Sequence, residues 1–141
     1  MRLTALLRSQ LGKFRQYLAD RRERWQGLRA RVRESSLSKR EVRGVKLLCE
    51  WLSADQLRQF KLHGHFEVTG CHTGTRYRIR YGAASNIHEL DERGKPRAGW
   101  CFVPTGTLVA GDVMLAQKIA LETDEQNALQ VAKRFPPPNW C

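Results

Sequence analysis

The chain has 141 residues, 25 Lys+Arg against 14 Asp+Glu, a formal charge of +11 and a pI near 10.2. That length suits one domain with an appendage, and 41% hydrophobic with 28% charged residues is a globular composition rather than a disordered one. No run approaches the roughly eighteen apolar residues of a helical bilayer span, which argues against an integral membrane protein.

The positive charge is segregated. Residues 1–44 hold 13 Lys+Arg and 4 Asp+Glu, whereas residues 45–141 hold 12 and 10. Such asymmetry points to an anionic partner for the N-terminal part, either nucleic acid or an acidic surface.

The first expected element is a basic helical arm over residues 1–36. Leu7, Leu11, Phe14, Leu18, Arg21, Trp25, Leu28 and Val32 recur at steps of four and three, a heptad seam with one charged interruption. Around it, Arg15, Arg21, Arg22, Arg24, Arg29, Arg31 and Arg33 form a candidate set of phosphate contacts. The same pattern also fits a packed amphipathic helix with a solvated basic face, a coiled-coil dimer, or a helix docking on a protein partner. The first nineteen residues, with four basic and no acidic side chains, fit an organellar presequence or an interfacial membrane helix as well. Against both, the heptad continues past residue 30 and its seam contains an arginine.

A compact α+β domain is expected over 37–135. Ser38-x-x-Glu41 and Ser53-x-x-Gln56 have capping-box form and predict two short helices, the first with an apolar face of Val42, Val45, Leu48 and Leu52. Gly64 is a helix stop. The period then switches to two, predicting an antiparallel meander of three or four strands: Phe66–Val68, Thr75–Tyr81, Ile87–Leu90 and Trp100–Val103. In the second of these, Tyr77, Ile79 and Tyr81 alternate with Arg76, Arg78 and Arg80. The three arginines form either a solvated row paired across strands to acids such as Glu89 and Asp91, or a second phosphate-binding patch with tyrosine edges available for base stacking. Asp112 is a candidate N-cap for a helix that is apolar almost all round over Val113–Leu121 and is therefore expected to be buried. Thr123–Gln126 is a further capping signature that opens a short C-terminal helix, and residues 136–141 read as a stiff Pro-rich tail.

Phe66-x-Val68-x-Gly70, Tyr77-x-Ile79-x-x-Gly82 and the run Asp112–Lys118 carry a resemblance over residues 52–134 to small uncharacterised bacterial and phage-borne domains of β-then-α order. The hairpin-then-helix layout also looks like the β-unit of SWIM-type zinc modules. The paired cysteines and the Cys-x-His of those modules are missing here, so the resemblance implies a fold and carries over neither metal ligand nor activity.

The cysteines, at 49, 71, 101 and 141, contain no Cys-x-x-Cys pair. With no apolar signal-peptide core in view, the expectation is reduced thiols and a cytoplasmic setting. His63, His65, Cys71 and Cys101 are ligand types suited to zinc, but their spacing matches no zinc framework, so neither metal nor cofactor is expected. Cys71-His72 lacks an evident third partner, and no phosphate-binding or nucleophile-elbow motif occurs, so no catalysis is expected. The sequence therefore predicts non-catalytic binding of DNA or RNA with weak sequence specificity, within a nucleoprotein assembly. A helix-mediated adaptor or homo-oligomer is the main alternative, and a zinc-stabilised module a third.

Overall fold

A computed structural model describes residues 38–137. The arm, including Arg15, Arg21, Arg22, Arg24, Arg29, Arg31 and Arg33, and the tail from Pro138 lie outside the described residues. Both capping boxes form. Ser38 Oγ accepts from the Glu41 amide at 3.3 Å while the Glu41 carboxylate accepts from the Ser38 amide at 2.9 Å, opening α1 (Lys39–Trp51). Ser53 and Gln56 make the same reciprocal pair at 3.2 and 3.1 Å and open α2 (Ala54–His63). Each box satisfies amides that a helix start would otherwise leave unpaired, a stabilisation of about 1 kcal/mol. Gly64 then takes φ +69°, the left-handed conformation that ends helices most cheaply when no Cβ is present.

The chain continues as β1 (His65–Thr69), β2 (Arg76–Arg80), β3 (Ile87–Leu90), β4 (Pro96–Cys101), α3 (Ala110–Val131) and β5 (Lys133–Phe135). The strands form one antiparallel sheet in sequence order. The described residues are thus α+β, with three helices and a five-stranded sheet.

Register decides which residues share a face. Phe66 pairs with Ile79, Val68 with Tyr77, and Ile79 with Ile87. These five side chains are buried together with Leu48, Phe60, Met114, Leu115 and Leu121 from the three helices and Leu52 at the C-cap of α1. Every strand residue of this core lies on one face of the sheet, so α1, α2 and α3 all pack on that side. The helical layer itself depends on small residues. A Cβ on Gly111 would strike the backbone of Gly44 and Val45, so α1 and α3 cross backbone to backbone at this point.

Several expectations require correction. A fifth strand exists beyond the three or four expected, because Lys133–Phe135 hydrogen-bonds to β4. The last meander strand is Pro96–Cys101 rather than Trp100–Val103. The cap of α3 is Val109, with no side-chain bond, and Asp112 sits inside the first turn. The early start places Gly111 in the first turn, against Gly44 of α1. Val42 is exposed, so of the apolar face expected on α1 it lies outside the part that is buried. The break read at Thr123–Gln126 is present as non-helical backbone at Asp124 (φ −151°, ψ 49°) within α3.

Candidate nucleic-acid interface

The face of the sheet opposite the core carries the cationic residues. His65 stands opposite Arg80, Glu67 opposite Arg78 and Thr69 opposite Arg76 on β1–β2, while Arg78 stands opposite His88 on β2–β3. His88 pairs with Gly99, Gly99 with Phe135, and Cys101 with Lys133, which extends the same face to β5. Arg76, Arg78 and Arg80 are therefore brought together in one row, about 6.7 Å from one to the next along β2 at strand rise. No helix of the described residues contributes a core contact to this side.

The row is held in place unevenly. Arg78 donates to Glu67 at 2.9 Å and to the carbonyl of Gly94 at 3.4 Å. Arg76 reaches Glu67 at 3.4 Å and the carbonyls of Asp91 and Glu92 at 3.3 and 3.5 Å. The cross-strand acid is thus Glu67, not Glu89 or Asp91. Glu89 instead accepts from Arg97 at 2.6 Å and from the Trp100 indole at 2.8 Å. The Asp91 carboxylate accepts the Lys95 and Arg93 amides of its own turn, which hold it below the usual carboxylate range. Partly exposed pairs such as Arg76–Glu67 contribute at most about 1 kcal/mol each, so they position the guanidiniums more than they stabilise the fold.

The two histidines of this face are held neutral. Burial, then Arg78, His63 and Arg80, bring His65 down to about 4 against a weaker opposite pull from Glu67. Burial, then Arg80 and Arg78, also lower His88. His88 is only 6% exposed because the Phe135 ring stands edge-on to it, with centroids 6.1 Å apart. Phe135 can lie there because Gly99 has no Cβ; one would overlap the ring. At the Arg76 end, a shallow cleft of about 210 Å³ is lined in part by Thr73, Thr75, Arg76, Asp91, Glu92 and Arg97. Its mixed charges give it no preference for an anion.

The stacking role expected of the tyrosines does not hold for Tyr77. It is 1% exposed and lies on the core face, its hydroxyl donating to Glu125 at 2.7 Å. Burial, then that hydrogen bond, raise its pKa. Tyr81 is 41% exposed but belongs to the parity of the core face. Alternation along the strand already put the tyrosines opposite the arginines, so this outcome was implicit in the sequence.

Glu125 gave no usable signal in the sequence, where it reads as part of a helix cap. It is 1% exposed. Its Oε2 accepts the amides of His72 and Thr73 at 2.7 and 2.8 Å, and its Oε1 the hydroxyls of Thr73 and Tyr77 at 2.5 and 2.7 Å. Burial pushes its carboxyl up, but these four donors outweigh burial and leave it below the ordinary value. The carboxylate thereby ties the β1–β2 turn to the C-terminal part of α3. Every donor is part of the scaffold, so the arrangement is structural.

Cys49, Cys71 and Cys101 are free thiols, and no group of three or more His, Cys, Asp or Glu suited to a metal occurs among the described residues. His63 and His65 stack on each other, whereas Cys101 accepts from the Ser85 amide at 3.3 Å and Cys71 from the Glu125 amide at 3.5 Å. No described helix is long and apolar enough to cross a membrane. Comparison with known protein families, curated proteins and solved structures finds no match to this chain.

Proposed function

We propose that this chain is a non-catalytic accessory protein that binds DNA or RNA through the phosphate backbone. Its two contact surfaces are the Arg-rich N-terminal segment and the open face of the sheet. The observation that carries the reading is the segregation of the sheet's faces: hydrophobic residues and all three described helices on one, Arg76, Arg78, Arg80 and Lys133 on the other. Guanidinium groups suit phosphate oxygens, which they contact in pairs and without regard to base sequence. The free thiols fit a reducing, cytoplasmic setting.

The test is binding of labelled duplex DNA and single-stranded RNA across a salt series. A plot of log K against log salt should be steep and linear, and replacing Arg76 and Arg80 by Gln should flatten it by about one unit per lost phosphate contact. Absence of binding at low salt, or a slope near zero, would sink the reading. The heptad seam of residues 7–32 favours one rival, in which the N-terminal segment assembles protein chains. Loss of self-association with full nucleic-acid affinity after deletion of residues 1–34 would favour that rival.

A further inference from the structure

The cation-rich stretch of the sequence runs into α1, where the structure shows what each cation does. Gly44 and Leu48 mark the buried side of this helix. At about 100° of turn per residue, the opposite side is a row of exposed residues, Lys39, Arg43, Lys46 and Glu50. Arg40 sits off the row and donates to the Thr107 carbonyl at 3.1 Å, while Glu41 is engaged in the capping box. Among the described residues, Lys39, Arg43 and Lys46 enter no ion pair, and Glu50 is not paired with Lys46 although it lies one turn beyond. On one flank of the row Leu47 and Trp51 are neighbours one turn apart, 42% and 59% exposed. On the other flank stands Val42.

This arrangement does nothing for the helix itself. Like charges three and four residues apart destabilise a helix, and cations in its N-terminal half oppose its dipole. The last turn, where a basic residue would be favourable, has none. A bound anion would offset both effects. What lies beside the cations then narrows the partner. The row separates Val42 from Leu47 and Trp51, so α1 offers no continuous apolar face for insertion into a lipid surface. Two apolar side chains are also too little for a protein interface, which buries about 800 Å² on each partner. A second copy of the chain would bring the same three cations together. One exposed ring beside a line of cations does suit a nucleic-acid strand, whose phosphates lie on the cations while a base stacks on the indole. The bases of a duplex are stacked on one another, so the strand must be single.

We infer that the outer face of α1 binds single-stranded nucleic acid, with Lys39, Arg43 and Lys46 on phosphates and Trp51 stacked on a base. The inference rests on the nucleic-acid reading above and adds to it a third contact surface and a preference for unpaired strands. The three cations span about 10 Å along the helix axis and Trp51 lies about 8 Å beyond Lys46, so a strand of a few nucleotides reaches from the first cation to the ring.

The measurement uses the intact protein with a labelled oligothymidylate and a duplex of equal length, each followed by fluorescence anisotropy across a salt series. Trp51→Ala should weaken binding of the single strand on the order of tenfold and leave duplex affinity within about twofold. Trp51→Phe, which keeps a ring, should restore most of the loss. Replacing Lys39, Arg43 and Lys46 together by Gln should lower the single-strand salt slope by about two units. All four side chains are exposed, and unfolding transitions measured beside the binding check that the variants fold. In the wild-type chain the oligothymidylate should quench tryptophan emission, and the quench should shrink in Trp51→Phe. Single-strand affinity unchanged in Trp51→Ala, or lost equally for single strand and duplex, overturns the inference. If the α1 variants bind normally while Arg76→Gln with Arg80→Gln binds weakly, the inference falls and the nucleic-acid reading stands. No binding of either probe by the wild-type chain overturns both. Loss of binding to phosphatidylserine vesicles, or of self-association, in Trp51→Ala with oligothymidylate affinity unchanged assigns the face to lipid or to a second copy and also overturns the inference.

Discussion

Glu125→Ala provides the most direct test of how the open sheet is braced. The substitution removes the acceptor of four hydrogen bonds, two from backbone amides and two from hydroxyls. His72 and Thr73 are exposed, so their amides recover water once the carboxylate is gone. Tyr77 is not, and its hydroxyl is left buried without its acceptor. An unsatisfied buried hydroxyl costs about 1–3 kcal/mol, and each hydrogen bond to a charged group contributes about 1.5–3 kcal/mol net. Allowing for rehydrated amides and for relief of the carboxylate's own desolvation, the loss comes to about 3–5 kcal/mol. That is a large share of the stability of a domain this size.

Glu125→Gln separates charge from shape. Its one oxygen can serve the two amides while its NH2 faces the two hydroxyls, which rotate to accept, so the cost falls to about 1–2 kcal/mol. Tyr77→Phe should cost a similar amount, and the double variant should show a coupling of about 1 kcal/mol or more. The folded carboxyl titrates below its ordinary value of 4.5. Its contribution is therefore complete above that value and is lost as pH falls through the lower folded one, so the deficit of Glu125→Gln should shrink in acid. Urea unfolding followed by tryptophan fluorescence, near neutral pH and in acid, reads all three effects. A Glu125→Ala variant within 1 kcal/mol of wild type, or no coupling to Tyr77, would refute the bracing role.

Two further outcomes follow from packing. Gly111→Ala should push α1 and α3 apart, because its Cβ meets main-chain atoms of Gly44 and Val45 that cannot rotate away. A cost near the upper end of about 1–3 kcal/mol is expected, read as a fall in Tm of about 4–8 °C per kcal/mol. Asn86 and Gln117 exchange amide hydrogen bonds at 2.9 Å in both directions, and Asn86 also donates to the carbonyls of Arg80 and Gly82. Asn86→Ala should cost about 2–3 kcal/mol by leaving the buried Gln117 amide half-satisfied, and the change should be visible as faster amide exchange in the β2–β3 loop.

What could be read from the sequence was what local chemistry determines. Ser38/Glu41, Ser53/Gln56 and Gly64 act within one helical turn, so their roles follow from spacing alone. The alternation Arg76–Tyr81 assigned each residue to a face before any partner was known. The largest misses involve partners far away in the chain. Glu125 is explained by residues 72–77, about fifty positions earlier. α3 starts at Ala110, where Gly111 packs on Gly44 about sixty-five positions earlier, and not at Asp112. β5 is three residues long and runs straight into proline, leaving no periodic pattern, and only its pairing with β4 identifies it. Proline directly after an edge strand is also what keeps such an edge from recruiting further strands.

The cations of the open face do not all bear equally on function. Arg76 and Arg78 are bound to Glu67 and to the carbonyls of the β3–β4 turn, so their replacement perturbs the sheet as well as any ligand contact. A weakened affinity in either variant would therefore be ambiguous unless stability is measured beside it.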